Sequence, residues 1–203
     1  MPDAVILNAR HVVDDVADRT ASIELTVAFT DLADFTTYTE AEGDDAASRL
    51  LIRHHRESAA IVRSRGGRVL KHLGDGLMLT FPEPEAAVLA CLELREAAPL
   101  RLRAGVHCGT VLVTGDDVVG HVVNLASRVT ASAERGELVV TEHVRETVCD
   151  LRGVAFDGPY RRSFKGIGDD VPVYLVSVAA CLTAPAEDLK SEGLRHGHPH
   201  RAR

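Results

Sequence analysis

The chain has 203 residues, 45% hydrophobic and 26% charged, close to the globular average, which excludes a disordered, collagen-like or coiled-coil chain. A formal charge of -7, with 4% aromatics and no Trp, disfavours nucleic-acid binding, because an acidic surface repels phosphate backbones and few rings are free to stack on bases. The length suits one catalytic-size domain with short extensions.

Residues 1–21 carry Val5, Ile6, Leu7, Val12, Val13 and Val16 among charges and read as a short amphipathic or flexible leader. Met1-Pro2-Asp3 opens without a basic segment, so no secretory signal is expected. The domain is placed at 22–180. Its first strand is expected at 23–32, followed by a polar stretch and a long helix over 44–65 that ends at Gly66-Gly67. Residues 68–73 and 77–81 read as a hairpin turned by Gly74-Asp75-Gly76. Pro82 and Pro84 stop that strand, and Val88, Leu89, Leu92 and Leu94 give 85–98 helical spacing.

Strands are next expected at 102–106 and 110–113, then a helix over 121–134 closed by Gly136. A strand at 138–141, a short helix near 142–149 and strands near 154–156 and 171–178 complete the body. The opening order β-α-β-β-α-β predicts an α/β (α+β) fold with a ferredoxin-like core and additional C-terminal strands and helix. Residues 181–203 shift to Pro, Glu, Lys, Gly and His and read as a disordered tail; His196, His198 and His200 there read as a solvated tract rather than a metal site.

The longest apolar run, from Val171 to Leu182, is too short to cross a bilayer. Cys91, Cys108, Cys149 and Cys181 form no CxxC pair, which suits reduced thiols. A cytoplasmic protein with no membrane partner is therefore expected. No GxxxxGK[ST] occurs, so a P-loop is excluded.

In a β-α-β-β-α-β sheet the third strand runs antiparallel beside the first. The hairpin tip carrying Asp75 should therefore meet the end of the first strand at Asp31. Two converging carboxylates suit Mg²⁺ or Mn²⁺, which take hard oxygen ligands together with phosphates and water. Taken singly, Asp31 also reads as a helix cap and Asp75 as a turn residue.

The surrounding residues decide between these readings. Phe29-Thr30-Asp31-Leu32-Ala33-Asp34-Phe35-Thr36, Lys71-His72-Leu73-Gly74-Asp75 and Gly115-Asp116-Asp117-Val118-Val119-Gly120-His121-Val122-Val123-Asn124-Leu125-Ala126-Ser127-Arg128 resemble the class III nucleotidyl cyclases. The resemblance spans about residues 22–179 and implies the class III cyclase fold. It also implies a head-to-tail homodimer that converts a nucleoside triphosphate to a 3′,5′-cyclic monophosphate and pyrophosphate. Asp31 and Asp75 match the family's metal-binding aspartates for two divalent ions, and Lys71 and Asp117 match its base-selecting positions. Asn124 corresponds to the residue that orients the ribose, Arg128 to the donor on the α-phosphoryl oxygens, and Lys165 to the lysine on the terminal phosphates. The resemblance further implies that Asp31 and Asp75 come from one subunit and the other five from its partner.

Adenine presents an acceptor at N1 and a donor at N6, matching Lys71 and Asp117, whereas guanine presents the reverse. ATP is therefore the expected substrate. The alternatives are a guanylyl cyclase acting on GTP, or a catalytically silent nucleotide-binding or dimerisation module. One departure from the family is a short stretch between Gly109 and Gly120 without a long basic arm.

Overall fold

The computed structural model describes residues 20–148 and 150–179. The expected leader lies almost wholly outside the described residues, as do Cys149, Cys181 and the His-containing tail. The elements run β1 (Thr20–Leu32), α1 (Phe35–Glu42), α2 (Asp44–Ser64), β2 (Arg68–Leu73), β3 (Gly76–Phe81), α3 (Pro84–Ala97), β4 (Leu102–Thr114), β5 (Asp117–Val119), α4 (His121–Ala131), β6 (Leu138–Thr141), α5 (Glu142–Thr147), β7 (Val154–Arg162) and β8 (Val171–Val178). They build one mixed sheet in the order β2-β3-β1-β4-β6-β8-β7, with β5 paired to β4. Its first four strands have the ferredoxin-like order that the sequence predicts.

Alternation along the strands divides the apolar residues between two faces. Ala28 and Leu32 of β1, and Leu102, Ala104, Val106 and Cys108 of β4, join one core with residues of α2, α3 and α5. Val27, Met78 and Val111 face the other way and pack with Val122 and Ala126 of α4. A third cluster joins Leu125, Val129 and Ala133 to Val139, Val173 and Phe164. One face of α4 is therefore committed to the sheet, which leaves Asn124, Ser127 and Arg128 exposed.

The approach of α4 to β4 depends on Gly105, because a Cβ there would lie 2.3 Å from the Thr130 backbone nitrogen. Thr130 Oγ1 donates to the Ala126 carbonyl at 2.9 Å. The close approach of Gly105 to Thr130 sets the height of the helix over the sheet.

Several sequence boundaries are corrected. The strands expected at 102–106 and 110–113 are a single strand of 13 residues. Gly109, at φ +151°, stays in the ladder opposite Leu25 instead of breaking it. Strand β1 begins at Thr20, α4 ends at Ala131, and the polar stretch after β1 contains α1. Strand β7 runs on to Arg162 through a register shift between Asp157 and Tyr160. Among the described residues no helix is long and apolar enough to cross a membrane.

Candidate active site

The register of β1 with β3, in which Thr30 stands opposite Leu77, brings the β2–β3 turn to the end of β1. Asp31 and Asp75 consequently face one cleft of about 460 Å³, lined also by Asp34, Thr36, Arg103 and Arg135. At Gly76 a Cβ would sit 2.6 Å from the Thr30 carbonyl oxygen and 3.5 Å from Asp31 Oδ1. Glycine is required for this close approach.

Burial raises the Asp75 pKa, and the nearby negative charge of Asp31 adds to the effect; its own backbone N–H, Arg103 and the Leu32 N–H act in the opposite direction. Asp75 forms no ion pair among the described residues. Asp31 is paired: Arg103 contacts its Oδ2 through Nε at 2.8 Å and Nη2 at 2.6 Å. At the cleft's rim, Arg135 Nη2 lies 2.8 Å from Asp34 Oδ1. Neither arginine, nor Asp34, is evident as a site residue in the sequence. The signal for Arg103 is its place opposite Asp31 in the β1–β4 ladder.

Lys71 and Asp117 also meet, with Nζ 2.6 Å from Oδ2. Next to them in the chain, Val118 packs with Val27, Met78 and Val122, and Leu70 borders that cluster. The hydrogen bond from Lys71 holds the Asp117 carboxyl below the usual carboxylate range. A strand rises about 3.3 Å per residue, so Lys71 stands roughly 13 Å along the hairpin from Asp75.

Asn124 and Arg128 project from the exposed face of α4, one turn apart, and neither side chain has a hydrogen-bond partner among the described residues. Lys165 is exposed in the β7–β8 loop, next to buried Phe164, which anchors that loop against Leu125 and Val129 of α4. None of Lys71, Asp117, Asn124, Arg128 and Lys165 lines the cleft of the two aspartates. The expected residues thus fall into an acidic cleft, a lysine–aspartate pair and an exposed helix face with its neighbouring loop.

A thiol nucleophile is unavailable at Cys91 and Cys108. Burial pushes the first up to about 12 and the second, beside Glu24, up to about 11.

Comparison with known proteins identifies the family and the fold. Residues 18–175 match the family model described as the adenylate and guanylate cyclase catalytic domain. Over 163 residues the chain is 34% identical to the uncharacterized protein Rv2212 of Mycobacterium tuberculosis, covering 78% of this chain and 42% of that protein. It is 31% identical over 189 residues to the pH-sensitive adenylate cyclase MT1302 of the same species, covering 87% of this chain and 46% of that one. The chain thus spans less than half the length of these relatives. The adenylyl cyclase CyaB from P. aeruginosa superposes with a TM-score of 0.72 at 25% identity, over 78% of this chain and 96% of that one. The strand order and the family match over these residues agree, and the chain belongs to the adenylate and guanylate cyclase catalytic domain family, the class III nucleotidyl cyclases.

Proposed function

We propose that the protein is an adenylyl cyclase that converts ATP to 3′,5′-cyclic AMP and pyrophosphate at sites shared by two copies of the chain. The choice of ATP rests on the Lys71–Asp117 contact. N1 and N6 are neighbouring atoms on one edge of adenine, so an ammonium and a carboxylate already in contact can meet both at once. Lys71 donates to N1 and Asp117 accepts from N6. Guanine in the same register would set N1–H against the ammonium and O6 against the carboxylate. Mismatches of this kind discriminate by roughly 10⁴ when fully desolvated. Relatives bearing the name adenylate cyclase support the same choice.

Asp31 and Asp75 are the residues that would hold two divalent ions, Mg²⁺ or Mn²⁺. The donor set fits, since the oxygens are hard, Asp75 forms no ion pair among the described residues, and the Arg103 contacts fall on Asp31 Oδ2 and not on Oδ1. Among the described residues no third His, Cys, Asp or Glu completes a metal cluster. The remaining ligands would therefore be water, backbone and phosphate oxygens, as is usual for Mg²⁺. When bound, such ions acidify a ribose 3′-hydroxyl and neutralise phosphate charge.

The chain's own side chains supply positioning. Arg103 fixes the orientation of the Asp31 carboxylate, and Asn124 orients the ribose. Arg128 offers a planar fork to the α-phosphoryl oxygens as negative charge builds on them, while Lys165 binds the terminal phosphates. Because the last three and the base-reading pair lie outside the acidic cleft of their own chain, a two-fold dimer that sets one copy's cleft against the other's α4 would create two equivalent sites.

The test is turnover of ATP and of GTP by the purified protein, with and without Mn²⁺, followed by cyclic product. Cyclic AMP formed in preference to cyclic GMP is the expected result. ATP binding without cyclic product in Mn²⁺, or faster cyclic GMP formation at matched concentrations, overturns the reading.

A further inference from the structure

The acidic cleft contains a second aspartate–arginine pair that the proposed reaction does not yet use. Asp34 stands at the N-terminal boundary of α1 with φ +65°, and its carboxylate makes no capping hydrogen bond to that helix. Aspartate at this position usually bonds an N–H of the first turn. Here it turns to Arg135 instead, at 2.8 Å.

Arg135 comes from a tight turn between α4 and β6. The Glu137 N–H donates to the Glu134 carbonyl at 3.1 Å, and the Glu134 N–H donates to Glu137 Oε2 at 2.8 Å. Gly136 takes φ +83° between them. The backbone at Arg135 is therefore held while its side chain is 68% exposed. An ion pair with that much water around it contributes about 0–1 kcal/mol, so stability does not account for it and it exchanges readily.

Charge in the cleft gives the pair a purpose. Asp31, Asp34 and Asp75 face two guanidiniums, and Arg103 commits two nitrogens to Asp31. Arg135 reaches Asp34 through Nη2, and among the described residues its other guanidinium nitrogens make no hydrogen bond. Of the cleft's cations it is the one at the rim, joined to a carboxylate that a more highly charged anion can outcompete. The planar fork matches phosphate oxygens two at a time.

We infer that Arg135 is a phosphate-binding residue, latched to Asp34 in the nucleotide-free protein and transferred to the terminal phosphates of the bound triphosphate and to the pyrophosphate product. The inference rests on the cyclase reading and adds a residue from the same chain as Asp31 and Asp75. In it Asp34 is a competitor for the guanidinium. Removing that carboxylate should tighten pyrophosphate binding, whereas a simple structural pair would give no such gain.

The experiment is calorimetric titration of the full chain with inorganic pyrophosphate and with tripolyphosphate in Mn²⁺, beside ATP kinetics. Arg135→Ala should weaken both inorganic ligands by about tenfold or more, the scale of a charge-assisted hydrogen bond. It should raise KM for ATP similarly, with kcat changed much less, and Arg135→Lys should recover part of the loss. Asp34→Asn should tighten pyrophosphate several-fold, and that gain should vanish in Asp34→Asn/Arg135→Ala. If wild type and Arg135→Ala bind pyrophosphate equally, or if Asp34→Asn gives no gain, the latch is wrong while the cyclase reading stands. If the wild type neither binds pyrophosphate in Mn²⁺ nor makes cyclic product, both fall together.

Discussion

Arg103 and Asp31 stand directly opposite each other in the β1–β4 ladder, and two guanidinium nitrogens converge on a single carboxylate oxygen. The pair is about one-third exposed and offsets the repulsion that Asp75 feels from Asp31. In chelator, Arg103→Ala should therefore lose about 1 kcal/mol, or roughly 2–4 °C in Tm. Adding Asp75→Asn to that variant should restore part of the loss by removing one of the two like charges. Thermal melts of the three proteins check this, and an unchanged Tm in Arg103→Ala would show that the pair does not balance the carboxylates.

Base choice is tested at Lys71 and Asp117. Replacing Lys71 with Glu and Asp117 with Ala should erode the ATP preference by at least about tenfold in kcat/KM, since each leaves a buried group of the base unpaired. Gain of GTP activity is a stiffer demand, because a new specificity needs packing as well as matched donors. The pair is exposed in the free protein, so the double variant should keep its Tm within a few degrees. An ATP preference equal to wild type would remove these side chains from base recognition.

Sharing of the site can be read from mixed chains. Asp31→Ala and Arg128→Ala homodimers should each be inactive but folded, because both residues lie outside the apolar cores. In a mixed dimer one site collects both lesions and the other neither. With random exchange half the dimers are mixed, so activity should return to roughly a quarter of wild type. Freely exchanging chains that recover nothing would place Asp31 and Arg128 in separate sites.

Acid should weaken the fold through two imidazoles. Burial lowers His54 to about 4, helped by His55, and lowers His107 to about 4, helped by His143 and His121. His54 has 2% exposure, and His107 Nδ1 lies 2.8 Å from Thr141 Oγ1. A folded pKa below the unfolded value near 6.5 means that the unfolded chain takes up protons first. Stability is thus full above about pH 6.5 and falls as pH drops toward 4. For His54 the loss at pH 5 should be on the order of 2 kcal/mol. Urea unfolding at pH 7.5 and pH 5, with His54→Gln as control, measures it; equal slopes of stability against pH in both proteins would remove His54 as a cause.

What the sequence makes legible here is what local pattern determines. The convergence of Asp31 and Asp75 follows from strand order, and the exposed face of α4 from the spacing of Val122, Leu125, Ala126 and Val129. Helix α1 is hidden because Thr36, Thr37, Tyr38 and Thr39 are weak helix formers; its helical state depends on Phe35 and Tyr38 resting against the larger core. Strand β4 looks broken because Gly109 interrupts the apolar alternation, yet its pairing with β1 carries the backbone through. Arg103 and Arg135 find their carboxylates only through ladder register and the turn at 134–137, which no spacing rule exposes.

The lack of any fully buried side chain in α1 lets this segment open ahead of the core. Eight residues are too few to hold a helix in water alone, and segments with little buried contact open independently of the global transition. Amides of α1 should therefore exchange with solvent far faster than those of α3, whose inward face includes Ala87, Val88, Ala90 and Cys91. A nucleotide resting against α1 would have to offset the entropy of ordering it, so part of the binding free energy would be spent on holding one wall of the cleft. In the proposed cyclase reaction, the same fraying that weakens entry would hasten the departure of pyrophosphate while the sheet beneath stays rigid.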